Sequence, residues 1–207
     1  RKSYSKDSLI DKDLPEDPFF LFDIWFKEVS SKNSKSEVNA MTLSTIGLSG
    51  YPNGRIVLLK YYSHDGFVFF TNYNSNKAAS IDQNNKVSIS FFWEESERQV
   101  IIKGVATRTS DDFSTKYFNS RPKGSKLGAL VSENQSSIIK SKDYIVKKFN
   151  ELSKEYSNKE ISRPNNWGGY IIKPIQYEFW QGGENRLHDR IRYTLNKKIW
   201  QIDRLSP

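Results

Sequence analysis

Apolar residues recur at two spacings along this chain. From residue 17 they fall at helical intervals: Phe19, Phe22, Phe26 and Val29 make one stripe, and Trp25 widens it. Asp17 offers a capping carboxylate and Pro18 suits the first helical position, so a helix is predicted to about Val29. After the Ser/Lys/Asn-rich stretch 30–37 the spacing becomes that of strands. Residues 39–47, 55–62 (RIVLLKYY), 67–72 (FVFFTN), 87–93 and 98–109 read as strands. Turn residues at 50–54 and 63–66 join the first three into a meander. Helical signals return at 75–83, from Ser110 to a stop at Pro122, and over 136–156. Strands resume at 170–172, 175–181, 190–195 and 199–205. Many short strands with a few helices, not alternating one for one, predict an α+β domain that is mainly antiparallel β and curls into a barrel.

Composition narrows the chemistry. Of 207 residues, 13 are Phe, 11 Tyr and 5 Trp, and none is Cys. Disulfides, thiolate metal sites and a Cys nucleophile are excluded. Two histidines, His64 and His188, cannot build a multi-histidine zinc site. No apolar run reaches membrane-spanning length, and no membrane partner is expected. The opening RKSYSKDS lacks both an initiator Met and an apolar leader, so residue 1 is read as a processing boundary and the location as cytoplasmic. The net charge of +8 calls for an anionic partner. The cations are scattered, several singly within apolar strands, which suits pockets for individual phosphates better than a nucleic-acid surface. Neither a G-x-G-x-x-G turn nor a P-loop is present.

Four constellations carry candidate chemistry. In Arg186-Leu187-His188-Asp189-Arg190, an extended backbone would put Arg186, His188 and Arg190 on one face. A solvated edge strand gives the same string, but the preceding Glu178-Phe179-Trp180-Gln181-Gly182-Gly183 adds a large aromatic and close-approach glycines. Arg55 and Lys60 bracket an apolar strand; strict alternation puts them on opposite faces, so one ligand reaches both only through a bulge or around the strand end. Tyr117, Arg121 and Ser125 can converge as a phosphate clamp, or mark an ordinary helix end. Thr71-Asn72 leading to Ser75-Asn76-Lys77 offers a strand end and helix start for an anion, or a simple N-cap; Gln135-Ser136 opens the next predicted helix likewise. No nucleophile–base pair stands out, so the redox or group chemistry is expected from a bound cofactor.

RIVLLK (55–60), FFTN (69–72), ERQV (97–100), YFNSRPKGS (117–125), WGGY (167–170), EFWQG (178–182) and RLHDR (186–190) occur in this order. Through them nearly the whole chain resembles the pyridoxine (pyridoxamine) 5′-phosphate oxidase family. The resemblance implies an FMN-binding split β-barrel of Greek-key type, with residues 1–16 as a substrate lid and 17–207 as one domain. It implies a homodimer with FMN at the subunit interface, and oxidation of phosphorylated B6 vitamers by O2. By the same resemblance Arg55, Ile56, Val57, Leu58, Phe70, Thr71, Asn76, Lys77, Gln99, Gln135, Ser136, Trp180 and Arg190 would surround FMN. Lys60, Tyr117, Arg121 and Ser125 would meet the substrate phosphate. Arg186 and His188 would be catalytic at the substrate ring, with Leu187 beside them, and Arg1, Lys2, Ser3 and Tyr4 would fold over the substrate. Three positions depart from the family's usual pattern: Asn76 where Arg is usual, Ile101 after RQV where Arg is usual, and Gly183 where an Arg or polar residue is common. Loss of a cation at Asn76 predicts weaker FMN retention. An FMN protein of the same fold with another substrate, a nucleic-acid-binding module and a purely structural dimer are the other readings.

Overall fold

The computed structural model describes residues 4–32 and 37–207. Arg1, Lys2 and Ser3, assigned above to the lid, lie outside the described residues. Asp17 does cap α1 (Pro18–Ser31), its carboxylate accepting the Phe19 N–H at 2.9 Å. The helix buries Phe22, Trp25 and Val29 as the stripe predicts, with Leu21 added. Phe22 stands edge-on to Phe67 and Trp25 edge-on to Phe179, so α1 plugs an aromatic core.

The described strands form a single antiparallel sheet. β1 (Ala40–Ile46) lies between β2 (Pro52–Leu58) and β5 (Lys86–Trp93), and β6 (Arg98–Arg108) follows. Next come β7 (Trp167–Gln181), β4 (Gly66–Asn72) and β3 (Tyr61–Ser63). β2 and β3 stand at opposite ends of this order, yet only Leu59 and Lys60 separate them. The sheet must therefore curl until its ends meet. At the join the Leu59 N–H bonds back to Asn39 of the β1 side, and the Lys60 N–H bonds to Val68 of β4. The continuous strand predicted over 55–62 is thus two strands with a crossover. That crossover, not a bulge, frees Lys60 from the alternation that governs Arg55.

β7 is one strand of 15 residues where two were expected. The two expected strands, 170–172 and 175–181, flank Pro174, which cannot donate to a ladder. Here β4 pairs with β7 over 167–172 and β8 (Asp189–Asn196) pairs with it over 176–181. Pro174 falls between these partners, where no N–H is demanded on that edge, and the register against β6 shifts at Lys103/Gly104. β9 (Ile199–Arg204) completes the β8 side.

The helices differ more from expectation. α2 (Asn76–Gln83) and α3 (Asp111–Ser120) have the predicted caps at Ser75 and Ser110. α4 (Lys123–Val131) was not predicted. Gly124 and Gly128 weaken its sequence signal, each costing about 1 kcal/mol against Ala in a helix interior. α5 spans Lys142–Glu155, capped by Ser141, and not 136–156. Ser136 stands at φ 76°, and Ile138 and Ile139 are exposed, so the expected opening of that helix at Gln135-Ser136 is a turn instead. No helix among the described residues is long and apolar enough to cross a membrane.

Candidate active site

A cleft of about 640 Å³ opens where the curled sheet joins, floored by β2 and β4 and walled by α3 and α4. Phe70 lies in its floor. The Tyr117 ring stacks on Phe70 at 3.9 Å, and the Trp167 ring lies parallel to both, at 5.4 Å from Phe70 and 6.2 Å from Tyr117. Trp167 also carries the Arg121 guanidinium over its face, at 4.6 Å. Pro122 ends α3 at Arg121 and begins α4, and so turns Ser125 toward the same cleft. Lys60 reaches it from the crossover. Lys60, Tyr117, Arg121 and Ser125 therefore line a single wall, although they come from three elements.

The electrostatics of this wall are unbalanced. Arg121 Nη1 is buried without a hydrogen-bond partner among the described residues. Burial pushes the Arg121 guanidinium below its usual range, and pushes the Tyr117 phenol up. A buried donor without a partner is costly, and an anion in the cleft would remove the cost.

Lys77, in the first turn of α2, lines the same cleft. Its ammonium is pushed below the usual lysine range, first by burial and then by repulsion from Arg55. Arg55, itself lowered by burial, is held by the Leu43 and Asn53 carbonyls and the Thr45 hydroxyl through Nη1. The loop after α4 closes over this corner. Lys77 donates to Gln135 Oε1 at 3.1 Å, and the Asn76 backbone N–H donates to the Ser136 hydroxyl at 3.3 Å. Asn72 anchors that loop by donating to the Ser132 and Glu133 carbonyls. Two like charges without a carboxylate between them fit a phosphate.

Ile56, Val57, Leu58, Phe70, Thr71 and Gln135 also line the cleft. Trp167, Ser132 and Gly128 line it too, though the sequence reading gave them no role, and so does Asn72 of the predicted strand end. For Trp167 a signal existed: a large aromatic directly before paired glycines.

The remaining candidates lie elsewhere. Gln99 faces Trp180 across β6 and β7, and Arg186, Leu187, His188 and Arg190 follow the far end of β7. At about 3.3 Å per residue the strand runs roughly 40 Å from Trp167 to Trp180. None of this second group lines the cleft. The extended geometry expected for residues 186–190 is not found. Glu184–Arg186 forms a 3-10 turn, with Asn185 and Arg186 at φ 53° and 65°. Arg186 thus leaves the strand before alternation begins at Asp189. Gly183 has no room for the side chain common there, since a Cβ would stand 2.3 Å from the Leu187 carbonyl oxygen. The turn folds back so that the Gly183 N–H donates to His188 Nδ1 at 3.1 Å. A neutral His188 then carries its proton on Nε2. Its ring lies 4.7 Å from Trp180, with Tyr4 edge-on to both. Arg190 is already paired, with Glu178 at 2.8 Å and the Ser206 carbonyl.

Residues 31–155 match the family described as "Pyridoxamine 5′-phosphate oxidase". The chain belongs to the pyridoxamine 5′-phosphate oxidase family. Residues 167–207, which hold the whole second group beyond Gln99, match that family's "C-terminal dimerisation region". A pyridoxine/pyridoxamine 5′-phosphate oxidase of Flavobacterium johnsoniae is 55% identical over 207 residues, covering 100% of this chain and 96% of the relative. One of Flavobacterium psychrophilum is 51% identical, covering 100% and 97%. In fold, the chain is similar to PhzG from Burkholderia lata, solved with tetrahydrophenazine-1-carboxylic acid. The TM-score is 0.90 at 24% identity, covering 97% of this chain and 98% of the other. A pyridoxamine 5′-phosphate oxidase-related, FMN-binding protein from Nostoc punctiforme gives 0.72 at 16% identity, covering 94% and 100%. The split-barrel fold expected of a pyridoxamine 5′-phosphate oxidase is the fold found.

Proposed function

We propose that two copies of this chain bind FMN between them and oxidise pyridoxine 5′-phosphate and pyridoxamine 5′-phosphate to pyridoxal 5′-phosphate. The observation that carries this is two unneutralised cation groups at one cleft: Lys77, which lines it with Arg55 beside it, and Lys60 with Arg121. Two anchored phosphates, one from a cofactor and one from a substrate, match them.

FMN would be held through its phosphate by Arg55 and Lys77, with Gln135, Ser136 and the Asn76 N–H beside them, and along Ile56–Leu58, Phe70 and Thr71. When bound, it supplies the acceptor for a hydride equivalent from substrate C4′ and returns the electrons to O2 as H2O2. The protein's own part is positioning. Tyr117, Arg121, Ser125 and Lys60 grip the substrate phosphate. Stacking on Trp167 stiffens Arg121, so little rotamer freedom is lost on binding.

The ring end of the substrate needs Arg186 and His188, which one chain keeps far from its own cleft. A second copy related by a two-fold axis would bring them, with Leu187, Gln99, Trp180 and Arg190, to the first copy's cleft. There His188 Nε2, the nitrogen left free by the Gly183 contact, can hold or pass a proton at the substrate, and Arg186 can orient the ring. Tyr4, resting on Trp180 and His188, acts with residues 1–16 as the lid on a single domain 17–207. A cytoplasmic location suits phosphorylated substrates, which do not cross membranes unaided.

The test is a visible spectrum after FMN is added, followed by anaerobic addition of pyridoxine 5′-phosphate. Bleaching of the flavin band, recovery in air and formation of pyridoxal 5′-phosphate are expected. Bound flavin that stays oxidised would overturn the substrate and keep the cofactor. No flavin binding would overturn both.

A further inference from the structure

Glu97 is only 2% exposed, and neither the phosphate clamp nor the flavin corner uses it. It ends the turn Glu94–Ser96 with a left-handed backbone at φ 55°. Its Oε2 accepts the backbone N–H groups of Ser5 at 2.9 Å and Lys6 at 3.2 Å. The next residue, buried Arg98, pairs with Asp7 of the same N-terminal segment and with Glu28 of α1, both at 2.5 Å. Arg98 is fixed in turn by Gln181 Oε1 at 2.9 Å and by the Trp25 face at 4.4 Å. Residues 5–7 are thus pinned by two adjacent buried charges.

The pinning determines where Tyr4 lies. Gly182 supplies an independent sign that this contact is built in. A Cβ there would stand 2.8 Å from the Tyr4 Cβ and 3.1 Å from the Glu97 Cβ. The Gly182 backbone is not left-handed, so close approach is what its missing side chain permits.

We propose that Glu97 is a positioning residue of the active site: its buried carboxylate fixes the N-terminal segment so that Tyr4 closes against the Trp180–His188 pair. This rests on the reading that His188 faces the substrate. A carboxylate suits the task because charge-assisted bonds to backbone N–H groups are stronger than neutral ones.

The test uses the flavin-loaded protein and the variants Glu97→Ala, Glu97→Gln, Tyr4→Ala and the Glu97→Ala/Tyr4→Ala pair. Trypsin cleavage after Lys6, followed by mass, should rise about tenfold in Glu97→Ala. Glu97→Gln, which keeps an acceptor oxygen, should restore most of the protection. KM for pyridoxine 5′-phosphate should rise in each single Ala variant and no further in the pair, with flavin binding unchanged. Lys6 staying protected in Glu97→Ala, or effects that multiply in the pair, would overturn the proposal. The cleavage readout needs no activity, so it stands even if the vitamers prove not to be substrates. Should Glu97→Ala fail to fold, Gly182→Ala probes the same contact from the other side and should also expose Lys6; continued protection would overturn the proposal.

Discussion

The cleft around Arg121 and the turn around His188 hold charge in opposite ways. At the cleft, Lys77 is repelled by neighbouring Arg55 and Arg121 lies over Trp167, with no carboxylate among the described residues to neutralise them. At the turn, Arg190 is matched by Glu178, and nearby Arg98 by Asp7 and Glu28. One end of β7 borders a site short of negative charge. The other end pairs Arg190 and Arg98 internally and offers shape: an imidazole tilted against an indole on a tight left-handed turn. On the proposed reading, the difference assigns affinity to the first region and orientation to the second.

Substitutions can break that division. The largest effect is expected from Arg186→Ala. It should lower kcat by roughly a thousandfold, in the range of a lost group acting at the reacting centre, and leave KM near its starting value. Arg121→Ala should do the reverse. Losing a charge-assisted hydrogen bond of about 1.5–3 kcal/mol should raise KM roughly 10- to 150-fold while saturating turnover survives. Steady-state kinetics with pyridoxine 5′-phosphate reads both; exchanged patterns would erase the distinction between the two regions.

A smaller effect is expected at the flavin corner. Asn76→Arg adds a cation beside Lys77 and should tighten FMN about tenfold, equal to about 1.4 kcal/mol, as read by fluorescence titration. The mildest effect is in pH. Without flavin the charged form of Lys77 is disfavoured by burial and by Arg55; a phosphate beside it favours that form. Binding therefore takes up a proton, and FMN affinity should fall as pH rises through the window below the ordinary lysine value of 10.5. Lys77→Met should flatten that slope. A slope of the opposite sign would mean that Lys77 does not meet the phosphate.

Much of this arrangement is legible in the chain, and the gaps have physical causes. The Asp17-Pro18 start of α1, the Pro122 stop and the alternation in β5 and β6 are local signals that the structure follows. Periodicity reports which face of a strand is buried, but not which strand lies beside it. The closure through Leu59–Lys60 and the change of partner at Pro174 were therefore invisible. α4 was hidden by its glycines, and Ile138 and Ile139 mimicked a helical core face while lying in solvent. The site residues were found largely through resemblance. Residue spacing alone placed Arg186 on a strand, because nothing local announces a left-handed Arg. The pairing of Arg190 with Glu178 required knowing the register of β7 and β8.

The length of β7 has a genetic consequence. Because one strand carries the cleft at one end and the His188 turn at the other, lesions at the two ends would damage different halves of each site in the proposed shared-site dimer. A subunit lacking Arg121 and a subunit lacking His188 would each be defective alone. Co-expressed and randomly paired, they would form mixed dimers in which one site collects both lesions and the other collects none. Such a mixture would recover roughly a quarter of the normal number of intact sites, so two alleles that fail separately would complement within a single cell.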